Sequence, residues 1–325
     1  MRNAFADEIT KLGKEDPRVI LLVGDIGNRL FDRYKESQSE RFFNCGIAEA
    51  NMISVAAGLA LNGFRPICYT ITPFITARCL EQIRVDVCYH EAPVIIVGVG
   101  SGLSYANNLA THHSCEDVAM LRALPGLSIV APGDPYEVRA ALGAALQRNQ
   151  PTYLRLGKKG EPMVHPTIPK FTIGEAIPMR SGSKVALLST GTMLPSALSV
   201  AEELSQGGID TAVWSFHTIK PLDAKTLKHT LSTFKLVVTL EEHSHLGGLG
   251  SAITEWASDF GPYDARILRL GTSDRFLHEG GEQEHARALY GLDSPTIISR
   301  IKDAFQRVVK GVAFAGLVEY PLENH

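Results

Sequence analysis

Short apolar runs that close in a glycine or a polar loop alternate along this chain with helix-patterned segments. That rhythm constrains the fold more than any other feature. Arg18–Gly24 (RVILLVG) and Pro93–Gly98 (PVIIVG) are β-branched and lack polar alternation, the pattern of strands buried on both faces. Arg65–Tyr69, Leu127–Ala131 and Thr152–Leu156 are also strand-like. Between them, Glu49–Ala60 (EANMISVAAGLA) is small and apolar with an acid at its start, a buried helix. Arg78–Tyr89 (RCLEQIRVDVCY) predicts a helix with Leu80, Ile83, Val87 and Cys88 on one face. Glu116–Leu124 is a helix stopped by Pro125-Gly126, and Glu137–Gln147 is an Ala-rich helix. Strands and helices alternating at this spacing make a mostly parallel sheet covered on both faces.

Gly157–Lys170 (GKKGEPMVHPTIPK) interrupts the rhythm with prolines and lysines and no periodicity, as a linker does. The alternation then restarts. Val185–Ser189, Thr211–Ser215, Leu236–Leu240 and Ala265–Leu270 read as strands; Pro195–Leu204, Ala224–Thr233, Gly250–Phe260 and Ser294–Val309 read as helices. The expected fold class is α/β: two tandem three-layer domains with mostly parallel sheets, residues 1–166 and 181–325, joined over 167–180. A length of 325 residues accommodates two such domains.

A net charge of −3 excludes a strongly basic nucleic-acid binder. No apolar run reaches the ~18–20 residues of a membrane span, and the charged N-terminus lacks the apolar stretch of a secretory signal. Five widely spaced cysteines, an odd number without a C-x-x-C pair, read as free thiols in a reducing, cytoplasmic setting.

In open parallel sheets, ligands bind beyond the carboxyl ends of the strands. That rule selects Gly24–Gly27, Asn44–Asn51, Tyr69–Phe74 and Gly98–His113. Glu49 admits two readings. It is a first-turn acid favoured by the helix dipole, or it is a functional carboxyl. Ala48, Ala50, Met52, Ile53 and Val55 offer it no charged partner, and a desolvated carboxyl keeps its proton near neutrality, as a proton donor must. Phe74, in a loop between strand and helix, is either a core residue or a stacking wall for a flat heteroaromatic ring. The Gly, Ser and Asn-rich segment Gly98–His113 is a candidate binding loop. Its adjacent His112 and His113 point in different directions, so one of them enters a site. No His, Cys and carboxylate set has zinc spacing, and no metal ligand is assigned. Dinucleotide and P-loop motifs are absent; Gly247-Gly248-Leu249-Gly250 reads as tight packing at a turn. His243 and His245 read as structural or dimer-contact residues, and Arg275, His278 and His285 as a surface stretch.

Together these segments resemble the C-terminal half of transketolases, above all the separate C-terminal subunit of split transketolases. Gly24-Asp25-Ile26-Gly27 occupies the place of the family's G-x-A-D-L segment. Cys45–Glu49 is similar to its G-I-x-E motif, Arg78–Arg84 to R-A-x-x-Q-I-R, and Thr111-His112 to T-H-Q with His113 in place of Gln. Arg122–Asp134, Glu241–Gly250 and Tyr290–Asp293 fit further family segments in order and spacing.

The resemblance implies an enzyme that transfers a two-carbon ketol unit between sugars or sugar phosphates with thiamine diphosphate. Glu49 would hydrogen-bond N1′ of the aminopyrimidine and promote proton removal from thiazolium C2. Phe74 would stack on the pyrimidine, with Ile71 replacing a second aromatic and Asp25 on the cofactor side. His112 would line the substrate channel in a proton-relay or hydroxyl-binding role. Asn108 stands where the family has an Asp that reads a donor hydroxyl, and Gly100 where it has a substrate-contacting His; Tyr105, Asn107 and Asn108 could then build an altered pocket. Lys158 is either a linker surface lysine or the counterpart of a phosphate-gripping arginine, with the charge but not the bidentate fork. The diphosphate motif that binds Mg2+ or Ca2+ is not in this chain. It would come from an N-terminal subunit, in an α2β2 assembly with the cofactor at the interface. The alternatives are a decarboxylating condensation, as in deoxyxylulose-phosphate synthases or 2-oxo acid dehydrogenase β subunits, and a non-catalytic regulatory subunit.

Overall fold

The computed structural model describes residues 1–27 and 29–312; residues 313–325, the end of the expected second domain, lie outside the described residues. The first half contributes β1 (Val19–Val23), β2 (Phe42–Asn44), β3 (Arg65–Ile71), β4 (Ile95–Val99), β5 (Ser128–Val130) and β6 (Thr152–Leu156). The second half contributes β7 (Ile177–Arg180), β8 (Val185–Ser189), β9 (Thr211–Ser215), β10 (Thr218–Lys220), β11 (Leu236–Ser244) and β12 (Arg266–Thr272). They form a seven-stranded sheet, β10-β5-β6-β4-β3-β1-β2, and a five-stranded sheet, β12-β11-β8-β9-β7. Every residue of β1, β4, β6 and β8 is buried, as unalternating apolar strands require when helices cover both faces.

Both sheets are mostly parallel, as expected, and each carries one antiparallel edge strand: β10 against β5, and β7 against β9. β2, β7 and β10 are not visible in the sequence pattern. Segments as short as FFN or TIK hold too few residues for a periodicity. β10 belongs to the second half of the chain yet completes the first sheet, pairing Thr218 with Val130.

The single α-helix expected over Arg78–Tyr89 is corrected. Arg78 and Cys79 lie in a turn, one α-turn spans Leu80–Gln82, and Ile83–Tyr89 is a π-helix. Side chains bond the local backbone here, and the Arg78 amide turns to the Pro73 carbonyl at 3.4 Å, leaving that of Phe74 to Cys79. Thr76 Oγ1 donates to the Thr72 carbonyl at 2.7 Å, and Cys79 Sγ to that of Phe74 at 3.3 Å. In the π segment, Asp86 accepts a 2.5 Å bond from Ser54 Oγ, tying it to the helix Glu49–Leu61.

A buried polar seam joins the two sheets. Arg155 on β6 donates from Nε to Asp117 Oδ2 at 2.8 Å and from Nη2 to the carbonyls of Ser114 and Glu242, both at 3.0 Å. Glu242 on β11 accepts from the Leu103 amide at 2.7 Å and from Arg287 Nε at 2.5 Å. The second sheet therefore holds the base of the Gly98–His113 loop in place.

Candidate active site

β1 lies between β2 and β3, so the chain crosses back over β1 on its way from β2 to β3. Such a reversal opens a crevice at the carboxyl ends of the strands. Gly24 ends β1 there. A Cβ at position 24 would come within 3.3 Å of Glu49 Cγ and 3.0 Å of Thr70 Oγ1, so glycine lets the Glu49 side chain lie over the strand ends. Glu49 begins the helix Glu49–Leu61 and is 2% exposed.

One expectation for Glu49 is overturned. Its sequence neighbours are apolar, but it has a charged partner from farther along the chain. Arg78 Nη1 donates to Glu49 Oε2 at 2.6 Å. The turn that replaces the expected first helical turn puts Arg78 in this position. The Arg78 guanidinium carbon also lies 4.6 Å from the centroid of the Phe74 ring.

Phe74 meets His112 edge to face, with ring centroids 5.3 Å apart, and His112 meets Tyr105 at 6.4 Å and 90°. Thr111 Oγ1 lies 2.8 Å from His112 Nδ1, fixing the ring orientation. Tyr105 is half-buried, and burial raises its phenol pKa. The structure thus brings Glu49, Phe74, His112 and Tyr105 into one contact chain. Arg78 completes it; sequence reasoning placed it in a motif but gave it no role at Glu49. The signal was long-range, since 29 residues separate the pair.

His113 turns away, as the opposite pointing of adjacent side chains required. It is 2% exposed and packs against Phe276 at 6.1 Å. Asp25 sits at the end of β1, where its Oδ1 accepts from Asn44 Nδ2 at 3.0 Å; Asn44 Oδ1 in turn accepts from the Gly46 amide at 2.9 Å. Asn44, also unassigned from sequence, thereby links two strand-end loops. Ile71 ends β3 half-buried. Asn108 is exposed on the loop, its carbonyl taken by Thr111 Oγ1 at 2.9 Å. Lys158 follows β6, next to Gly157, whose carbonyl accepts from the Gly100 amide at 3.4 Å. Its Nζ is 3.8 Å from Glu282 Oε2, in a cleft between the halves of the chain that Glu161, Glu284 and Arg287 also line.

The second half has no comparable cluster at Gly247–Gly250. Glu241 accepts from the amides of Leu249 and Gly250 at 2.7 and 2.8 Å, so the start of that helix is already occupied by a carboxylate. A Cβ at Gly248 would fall 2.1 Å from Glu241 Oε2, which accounts for that glycine by close packing. His243 is 1% exposed and bonded through Nδ1 to the Ser244 carbonyl at 2.7 Å, consistent with a structural role. Arg275, His278 and His285 are exposed.

The family model for the transketolase pyrimidine-binding domain matches residues 1–162, and that for the transketolase C-terminal domain matches residues 174–297. The chain belongs to the transketolase family. A putative transketolase C-terminal section from Methanocaldococcus jannaschii is 32% identical over 94% of this chain and 96% of its own length. A protein from Clostridium sp. (strain MSTE9), named 6-deoxy-6-sulfo-D-fructose transketolase subunit SqwH, is 33% identical over 94% of this chain and 95% of its own. Among solved structures, one described as a split gene transketolase, inactive beta4 tetramer, superposes with a TM-score of 0.85 at 31% identity, covering 94% of this chain and 97% of that one. This chain is accordingly a transketolase subunit of the C-terminal type, an enzyme of the transferase class, and the transketolase family implies dependence on thiamine diphosphate.

The residues of this transketolase fit the pyrimidine end of that cofactor. An aminopyrimidine with an N–H facing a carboxylate needs a buried acceptor and an aromatic face. Glu49 supplies the first and Phe74 the second. The planar, N–H-donating guanidinium of Arg78 meets both surfaces at once.

Proposed function

We propose that this chain supplies the pyrimidine-binding half of a transketolase active site, works only with a separate N-terminal subunit, and assembles with it as α2β2. The observation that carries the reading is the buried Glu49 carboxylate, linked through Arg78 to the Phe74 ring, at a strand-order reversal. In this reading residues 1–166 bind the pyrimidine and residues 181–325 form the C-terminal domain, while the intervening 167–180 connect them and supply β7 (Ile177–Arg180) to the second sheet. The N-terminal subunit binds the diphosphate through Mg2+ or Ca2+. The five free cysteines support a cytoplasmic setting.

When bound, thiamine diphosphate supplies an electron sink that carries the two-carbon unit between a ketose donor and an aldose acceptor. Glu49 holds a proton at ring N1′. Its burial excludes water, which strengthens that hydrogen bond. Phe74 and Ile71 form the apolar wall for the ring face, and Asp25, steadied by Asn44, orders the strand-end loop beside it. His112, held by Thr111 and wedged between Phe74 and Tyr105, exchanges protons with substrate hydroxyls. Tyr105 and Asn108 read the sugar. Lys158 attracts an anionic substrate terminus, a phosphate or the sulfonate of the sugar named in the Clostridium relative.

The test is reconstitution with the N-terminal subunit, thiamine diphosphate and Mg2+. Ketol transfer is expected from the pair and not from either chain alone. Robust turnover by this chain alone would overturn the half-site reading, and carbon dioxide release from a 2-oxo acid would replace ketol transfer by decarboxylating chemistry.

A further inference from the structure

Arg78 makes two contacts that are geometrically one seat. Its Nη1 donates to Glu49 Oε2 at 2.6 Å, and its guanidinium carbon lies 4.6 Å from the Phe74 ring centroid. A planar group that gives an N–H to Glu49 and sits over the Phe74 ring occupies the contacts assigned above to the aminopyrimidine ring. Two planar groups cannot share one seat.

We infer that Arg78 is a built-in placeholder: its side chain fills the pyrimidine seat and must swing out when the cofactor loads. This inference rests on the roles proposed for Glu49 and Phe74. It gives the ion pair a physical purpose. Glu49 is 2% exposed, and a buried carboxylate left without a partner is costly. The guanidinium neutralises it until N1′–H replaces that donor. Two features make the exchange feasible. Arg78 lies in the turn before Leu80, so its side chain can move without unwinding a helix. Its side chain is also 44% exposed, which leaves it an open side toward solvent.

Loading is then a competition. The apparent affinity for the cofactor is the intrinsic affinity multiplied by the fraction of sites from which the arginine is absent. Removing the guanidinium therefore tightens cofactor binding, whereas removal of an ordinary binding residue weakens it.

The experiment uses Arg78→Met and Arg78→Gln in the complex with the N-terminal subunit. Binding of thiamine diphosphate with Mg2+ is measured by calorimetry, and its association rate by stopped-flow fluorescence. The expected result is a Kd lowered about tenfold, with faster association, in both variants. In the chain without its partner, Arg78→Met should lower Tm by about 2–4 °C, and adding Glu49→Gln should reverse most of that loss. A Kd that is unchanged or raised in both variants would overturn the placeholder. So would a Tm loss that Glu49→Gln does not reverse. If the wild-type complex binds no thiamine diphosphate at all, the reading of Glu49 and Phe74 fails and takes this inference with it, an outcome distinct from a variant-specific result.

Discussion

The Tyr105 ring packs so closely on Gly100 that a Cβ at position 100 would fall 1.9 Å from Tyr105 Cε2. Gly100 also has a φ of +74°, in the left-handed region. The glycine that stands where the family resemblance places a histidine is therefore filled by the ring of a residue five positions on. Gly100→Ala should cost about 1–3 kcal/mol through backbone strain and overpacking, read by urea unfolding. Tyr105→Ala in the same chain removes the overlap but not the strain, so the double variant should recover part of the loss. Strictly additive losses would contradict the packing relationship.

Glu49→Gln in the reconstituted complex should lower kcat about 10²–10⁴-fold. Exchange of the cofactor C2 proton, followed by NMR after acid quench, should slow in parallel. Unchanged exchange would remove Glu49 from the proton relay.

Lys158→Ala should raise KM for donors ending in phosphate or sulfonate and leave neutral ketoses nearly unaffected. The motivating feature is a half-exposed ammonium whose nearest carboxylate, Glu282, is 3.8 Å away. Equal changes for charged and neutral donors would assign Lys158 to the cleft structure alone.

Two buried histidines set an acid limit on stability. Burial, outweighing nearby Glu137, pushes His217 down to about 4; burial, outweighing nearby Asp117, does the same to His243. The unfolded chain, with histidines near 6.5, binds more protons than the folded one between about pH 4 and 6.5, so these groups stabilise the fold above that window and lose their contribution as pH falls through it. Glu241 acts in the opposite sense: burial raises it to about 7 against two backbone donors, so its contribution weakens as pH rises toward neutrality. His217→Asn should flatten the loss of urea midpoint between pH 6.5 and 4.5, and Glu241→Gln should steepen it. An unaltered profile in both variants would count against this assignment.

Legibility differed from element to element. RVILLVG and PVIIVG announced β1 and β4 because five buried residues in a row leave no other pattern. The helix Glu49–Leu61 announced itself by small apolar residues behind one acid. β10 did not, because three residues carry no period and its partner, β5, lies about ninety residues earlier. Nor did the break at Arg78, where the Cys79 side chain takes the Phe74 carbonyl and the Arg78 amide turns instead to the carbonyl of Pro73.

Sequence alone determined the class of fold, the strand-end segments in which chemistry belongs, and the residue types available there. These depend on local composition and period, which each segment carries by itself. The tertiary structure decided which of those residues touch. Glu49 gained its charge partner, Gly100 its covering ring, and the Gly98–His113 loop its anchor on Glu242 from segments remote in the chain. Such contacts arise only when two sheets and their crossovers close on each other, and no short window of sequence records that closure.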